Sequence, residues 1–284
     1  MLPYTIRKII VPIDLSETSL NALDTAVALA KKHKASLLML NVIESGFEFL
    51  TDGGGFSSFT NLSNSADVLS ALAGTIQHTH NIVPKVIQEE GHVSQVILKT
   101  TLLQQADLIV IGTHGASGYR DGFIGSNTYS IIKHSTCPVL TIPPKRKFLS
   151  FRKVMFPIRP VAGALSRYDV VSQFIAPNAS LEVVGLSFRR METDTSVLEK
   201  ILEEVKDQLE MGRITTRTAW GNGNTISEDV LTYMHKSFPD LVVITSVLDV
   251  TPKPNFIGPH TQKIMNCSKV PVLSIKRVGI HAMA

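Results

Sequence analysis

Cysteine is scarce: Cys137 and Cys267 are the only two in 284 residues. At these positions they give neither a disulfide framework nor a metal-ligand spacing, and they read as reduced, buried thiols. Long apolar runs are missing too, which excludes a membrane-spanning helix of about 20 residues. The opening residues, Met1-Leu2-Pro3-Tyr4-Thr5-Ile6-Arg7-Lys8, lack the basic, apolar and small-residue order of a secretory leader. The expectation is a cytoplasmic chain with no membrane partner. Charge of one sign is not in large excess: 28 Lys and Arg stand against 24 Asp and Glu, a net +4. The short cluster Lys145-Arg146-Lys147 reads as a solvated linker, so nucleic acid is not expected as a partner. Of nine histidines, His78 and His80 stand two apart in an expected helix and face different ways. No His-x3-His or Cys/His cluster occurs, and no metal site is expected. A Walker lysine motif and a nucleophile elbow are also missing.

Glycine is where the sequence is informative. Gly112-Thr113-His114-Gly115 follows the apolar run Asp107-Leu108-Ile109-Val110-Ile111, and Gly125-Ser126-Asn127 opens a helical stretch to Ser135. Two close glycines at a strand's C-terminal end let backbone N–H groups approach a phosphate with no Cβ in the way. A third glycine followed by a hydroxyl, at a helix start, adds the partly positive helix N-terminus. The same glycines also serve as plain turn punctuation. Their place favours the ligand reading, because open α/β sheets bind ligands beyond the carboxyl ends of their strands. His114, inside the loop, either touches a phosphate or faces water.

The chain also repeats itself. Asp107-Leu108-Ile109-Val110-Ile111 returns 133 residues later as Asp240-Leu241-Val242-Val243-Ile244. At the same offset Ile124-Gly125 returns as Ile257-Gly258, and Pro138-Val139-Leu140-Thr141-Ile142 as Pro271-Val272-Leu273-Ser274-Ile275. Lys8-Ile9-Ile10-Val11-Pro12-Ile13 is echoed by Lys153-Val154-Met155-Phe156-Pro157-Ile158. Ordered matches at both ends of two units mean a tandem duplication, with units at 1–145 and 148–284 joined through Pro143-Pro144-Lys145-Arg146-Lys147. In unit one the pattern predicts strands over 6–13, 36–43, 83–88, 107–111 and 138–142, and helices over 16–34, 67–80, 93–105 and 126–135. A Gly/Ser/Phe-rich loop spans 45–63 around Gly53-Gly54-Gly55 and reads as a mobile segment. Strands that are apolar throughout and alternate with helices mean an α/β fold: two repeated five-stranded parallel sheets, each covered on both faces.

Three of these features resemble the universal stress protein family in its tandem two-domain form, over nearly the whole chain. Val11-Pro12-Ile13-Asp14-Leu15-Ser16 is similar to the family's first strand and the acidic residue after it. Ile111-Gly112-Thr113-His114-Gly115 with Gly125-Ser126 resembles its G-x2-G-x9-G-[S/T] nucleotide motif, and Cys137-Pro138-Val139-Leu140 its last strand. The resemblance implies an adenine-nucleotide α-hydrolase-like, Rossmann-like fold that binds ATP, with any Mg2+ carried by the nucleotide. It implies that Pro12, Ile13 and Asp14 lie at the ribose and adenine, with the Asp14 carboxylate accepting from the ribose hydroxyls. Asp14 reads equally as a residue that starts a helix. Val42 would offer its backbone to adenine, or simply pack in the core. Gly112, Gly115, Gly125, Ser126 and Asn127 would hold the phosphates, with His114 beside them as a further cofactor-binding candidate. Ala116 stands where many members carry a basic residue, which weakens the expected phosphate affinity. Single-domain relatives dimerise through the last strand, so the two units are expected to pack as an internal pseudo-dimer, with room for two chains to associate further. The expected role is a nucleotide-dependent regulatory or stress-response one, with an unidentified protein partner.

Unit two departs from the motif. Arg159 stands at the place of Asp14, Thr245 at Gly112, Leu248 at Gly115 and Pro259 at Ser126, and only Gly258 remains. Leu248 would block a phosphate and Pro259 has no N–H to give. One competent site is therefore expected, in unit one. The alternatives are a slow ATP hydrolase or an adenylate-transferring enzyme of the same superfamily, and a ligand-free interaction scaffold. The superfamily's transferases carry a His-x-Gly-His type signature after the first strand, whereas Asp14-Leu15-Ser16-Glu17-Thr18 holds no histidine. Within the glycine motif only Arg120 is a candidate to stabilise a transferring phosphoryl group. No catalytic residue is assigned, and at most weak ATP hydrolysis is expected.

Overall fold

Ile9, Ile10 and Val11 are all fully buried, which a strand achieves only when both faces of its sheet are covered. They form the centre of β1 (Lys8–Pro12). The computed structural model that contains it describes residues 4–44, 62–114, 124–144, 150–158, 168–176, 179–185, 196–197, 199–200, 203, 215–220, 225–245 and 257–276. Gly115, Ala116, Arg120, Arg159, Leu248, residues 45–61 of the Gly/Ser/Phe-rich loop and Lys145-Arg146-Lys147 lie outside the described residues.

After β1 come α1 (Glu17–His33), β2 (Ser36–Ile43), α2 (Leu62–His80), β3 (Lys85–Glu90), α3 (Val93–Leu103), β4 (Leu108–Gly112), α4 (Ser126–His134) and β5 (Val139–Ile142). The second half follows with β6 (Lys153–Ile158), α5 (Tyr168–Phe174), β7 (Ser180–Gly185), β8 (Thr215–Trp220), α6 (Ile226–Ser237), β9 (Leu241–Thr245), α7 (Pro259–Cys267) and β10 (Val272–Ile275). The strands form one ten-stranded sheet in the order β3-β2-β1-β4-β5-β10-β9-β6-β7-β8. Every pairing is parallel except that of β5 with β10, which is antiparallel and sets Leu140 opposite Leu273. The two five-stranded sheets expected from the repeat are thus continuous through their last strands. Among the described residues no helix is long and apolar enough to cross a membrane.

Local chemistry fixes the elements. Ser16 caps α1, its hydroxyl oxygen accepting the Ser19 N–H at 3.2 Å, and Lys34 closes the helix in the left-handed conformation at φ 52°. Asp107 accepts the Arg7 and Lys8 N–H groups, both at 2.9 Å, tying the start of β4 to that of β1. Asp240 does the same for Arg152 at 3.2 Å and Lys153 at 3.0 Å, so this repeated aspartate repeats its role. Alternate residues of β1 enter different cores: Ile9 and Val11 pack with apolar residues of α1, α2 and α5, and Ile10 with those of α3, α4, α6 and α7. Each core draws residues from both halves of the chain.

The cysteines correct the sequence expectation. Cys137 is partly buried, but Cys267 is exposed. It is the last residue of α7, on the turn leaving the core, whereas Ile264 and Met265 fill the helix's buried face. Strand β3 runs two residues later than its composition suggests, over Lys85–Glu90, because it is aligned by β2: Leu38 pairs with Lys85 and Ile43 with Glu90. Helix α2 begins at Leu62, ahead of the expected start at residue 67.

Candidate functional site

The strand order places a crossover point between β1 and β4. From β1 the chain winds outward to β2 and β3, and it returns on the other side with β4 and β5. Beyond the carboxyl ends of such strands the connecting loops separate and leave a crevice. A cleft of about 260 Å3 opens there.

Each wall comes from a different element. The end of β1 and the turn after it contribute Pro12, Ile13 and Asp14, with Ser19 from α1. Strand β2 contributes Leu40 and Val42, with Glu44 beyond its end, and α3 adds Val93 and Ile97. Strand β4 ends at the cleft with Ile111 and Gly112, followed by His114. Gly125, Ser126, Asn127 and Thr128 close it with the first turn of α4. All the candidate residues from the sequence meet here apart from Gly115, which lies outside the described residues. Ser19, Leu40, Glu44, Val93 and Ile97 belong to no motif and join through tertiary packing, while Ile111 and Thr128 are chain neighbours of the motif residues.

Side-chain roles are specific. Asp14 Oδ1 accepts from the Ser16 N–H at 3.0 Å and the Ser16 hydroxyl at 2.6 Å. The capping residue of α1 is therefore Ser16, and Asp14 braces that cap from the cleft side. Between them Leu15 sits at φ 62°, a left-handed conformation uncommon for a bulky residue. Below the turn, the buried Asn41 amide donates to the Ile13 carbonyl at 2.7 Å and accepts from Gln88 Nε2 at 3.1 Å. Gln88 also reaches the Ser65 hydroxyl of α2 at 3.3 Å, so a chain of amides runs from the cleft floor to the second helix. The sequence signal for this contact is a polar residue inside the apolar run Leu-Leu-Met-Leu-Asn-Val-Ile.

The glycines do different jobs. A Cβ on Gly112 would lie 3.0 Å from Thr18 Cβ and 3.1 Å from the Thr18 carbonyl carbon. Gly112 thus lets α1 sit close against β4, the close-packing use of a glycine in a nucleotide-type turn. Gly125 is the N-cap of α4, and its N–H donates to the Thr113 carbonyl at 2.9 Å. The Thr128 hydroxyl donates to the Gly112 carbonyl at 3.0 Å, locking the helix start onto the strand end. Ser126, Asn127 and Thr128, the first turn of α4, line the cleft, and a helix start carries N–H donors that have no partner within the helix. His114 Nδ1 is 2.9 Å from the Thr113 hydroxyl.

The model of the universal stress protein family matches residues 5–143. Universal stress protein A homolog 1 of Coxiella burnetii is 31% identical over 141 residues, covering 48% of this chain and 95% of that protein. This chain belongs to the universal stress protein family. A second member, from Methanocaldococcus jannaschii, is 30% identical over 144 residues, covering 50% of this chain and 84% of its own. A universal stress protein structure from Archaeoglobus fulgidus DSM 4304 covers 97% of this chain and 98% of its own at a TM-score of 0.70; at 20% identity it bears on the fold alone. The family model covers the half that carries the cleft.

At the matching place in the second half, Thr245 ends β9 where Gly112 ends β4, and Pro259 is the first residue of α7 where Ser126 begins α4. Proline removes one donor from that helix start. His260 takes the position of Asn127 and lies 3.4 Å from the Ser227 hydroxyl through Nδ1.

Proposed function

We propose that this universal stress protein binds ATP in the cleft between β1 and β4 and acts as a nucleotide-dependent regulator, with one competent site per chain. The carrying observation is the convergence on one cleft of Pro12, Ile13, Asp14, Val42, Gly112, His114, Gly125, Ser126 and Asn127. The phosphates lie at the first turn of α4, the ribose at Asp14 and the base against Val42. Asp14 and Glu44 line the cleft, and its described lining includes no lysine or arginine. In this reading helix N–H donors and Mg2+ entering with the nucleotide meet the charge of the triphosphate.

The reading divides the chain into a nucleotide-binding domain at 1–145 and a structural domain at 148–284. Thr245 and Pro259 support the loss of the second site. The antiparallel β5–β10 pairing supports an internal pseudo-dimer, since Leu140 and Leu273 are equivalent residues of the repeat and face each other. The regulated partner is another protein.

Mass spectrometry of nucleotide released from the purified protein, with calorimetric titration by Mg-ATP, tests the reading. Adenine nucleotide in the released fraction and one site per chain are expected. No binding overturns the ligand, and two equivalent sites overturn the degenerate second half.

A further inference from the structure

Glu44 belongs to no motif, yet it lines the cleft. Leu40, Val42 and Glu44 alternate along β2 and just past its end, and all three line the same wall. The strand end that carries Glu44 is pinned. The Gly91 N–H donates to the Ile43 carbonyl at 3.0 Å. Gly91 adopts φ 139°, open to glycine and strained for other residues, and a Cβ there would come within 3.1 Å of Val96 Cγ2. The β3–α3 turn thus fixes where β2 stops and where the next side chain emerges.

The cleft is chemically divided. Beside Glu44 its wall is aliphatic, from Val42 with Val93 and Ile97 of α3. Its far end is the start of α4 after β4. Strands β2 and β4 flank β1, so the two ends stand about 10 Å apart, two strand spacings. A nucleotide with its phosphates at α4 sets a flat apolar base against Val42, with its polar edge toward Glu44.

We infer that Glu44 is a specificity-determining residue that selects 6-aminopurine nucleotides over 6-oxopurine nucleotides. The inference rests on the nucleotide reading of this cleft. A carboxylate offers only acceptors. An amino group at the purine 6-position meets it with N–H donors. A carbonyl at the same position sets acceptor against acceptor, and the carboxylate is satisfied only if the base shifts to present its N1–H instead, which gives up the fit against Val42.

The test is calorimetric titration of the full chain with Mg-ATP and Mg-ITP, repeated for Glu44→Gln. The unsubstituted protein is expected to bind ATP at least about tenfold more tightly than ITP. In Glu44→Gln, whose amide both donates and accepts, the two affinities come within about twofold. Glu44 is exposed, so the substitution leaves the fold intact, and thermal melting checks this. An ATP-to-ITP ratio unchanged by the substitution overturns the inference while leaving nucleotide binding in place. Failure of the unsubstituted protein to bind either nucleotide overturns the nucleotide reading and this inference with it.

Discussion

The Asn41 side-chain amide holds the Ile13 carbonyl at 2.7 Å, one residue before Asp14 and at the point where β1 leaves the sheet. Both residues are buried. Asn41→Leu keeps the approximate volume but strips the Ile13 carbonyl of its donor and Gln88 of an acceptor. The Ile13 carbonyl is the buried group left unsatisfied, at about 1–3 kcal/mol, whereas Gln88 is exposed and turns to water. The urea midpoint is expected to fall accordingly. ATP affinity should fall about tenfold, because the turn bearing Asp14 loses its anchor. A variant with unchanged stability would show that the amide chain from Ile13 to Ser65 carries no energy.

Gly112 and Gly74 make an opposed pair. Gly112→Ala drives a methyl group to 3.0 Å from Thr18 Cβ and 3.1 Å from its backbone carbon, neither of which is a flexible chain end. Forced overpacking of this kind costs about 1–3 kcal/mol. Gly74, inside α2, has nothing within 4 Å of its added Cβ. Gly74→Ala should stabilise the protein by about 0.5–1 kcal/mol, the helix-interior cost of glycine. Thermal and urea unfolding of both variants measure the contrast, and equal shifts in one direction would refute the packing account of Gly112.

These glycines mark the limit of what the sequence reveals. Ser36–Ile43 is legible as a strand because its apolar run is broken only by Asn41 and is flanked by polar residues. The start of α1 is legible because Ser16 and Glu17 carry cap chemistry. The motif residues are legible as a group because spacing along the chain sets where a strand ends and a helix begins. Spacing does not reveal which neighbour needs a glycine, and Thr18 is the neighbour of Gly112 only once α1 has folded back. Only the end of strand β3 is hidden, for a related reason: its polar half, Gln88-Glu89-Glu90, is held by register with β2 at the sheet edge rather than by its own composition. Glu44 and Asn41 become site residues only when β2 lies beside β1.

The two thiols should differ in reactivity. Burial pushes the Cys137 thiol up to about 11, and the Ser135 hydroxyl beside it only partly offsets this. Cys267 is exposed. The thiolate is the reacting species. Iodoacetamide at about pH 8 should alkylate Cys267 at least tenfold faster than Cys137 in the native protein, with both reacting in denaturant. Peptide mass mapping reads the order, and faster labelling of Cys137 would contradict its burial.

Lys276 gives the seam between the halves a pH dependence. Its ammonium group donates to the Lys133 carbonyl across the seam. Burial, with the charge of Lys133 adding to it, lowers its pKa to about 8. In the unfolded chain a lysine titrates near 10.4. Between these values the unfolded state holds more protons, so stability rises with pH across that window. The contribution is fully present above the unfolded value and lost as pH falls through about 8. Lys276→Met keeps most of the apolar stem and removes the titration. Urea midpoints at about pH 7.5 and 9.5 should rise more in the unsubstituted protein than in the variant. Equal changes in both would exclude Lys276 as the source.

The β5–β10 pairing predicts how the first half behaves alone. Leu140 faces Leu273, Thr141 faces Val272 and Val139 faces Ser274, so each position of one repeat meets the two-fold counterpart of the other. A second copy of β5 could therefore take the place of β10 with the same geometry, as in an isologous dimer. Val139, Leu140, Thr141 and Ile142 are all buried in the full chain, and removing the second half would bare an apolar edge that invites pairing. A chain of this half's length is a natural protein elsewhere, since the Coxiella burnetii relative is covered over 95% of its length by 48% of this chain. Residues 1–144 expressed alone should run as a dimer in light scattering. Leu140→Lys, which sets like charges opposite one another at the dimer axis, should return it to a monomer. If the unsubstituted half is a soluble monomer at concentrations of tens of micromolar, β5 is not a self-pairing edge. The two halves then hold together through their shared helical cores and Lys276 rather than through the strand seam.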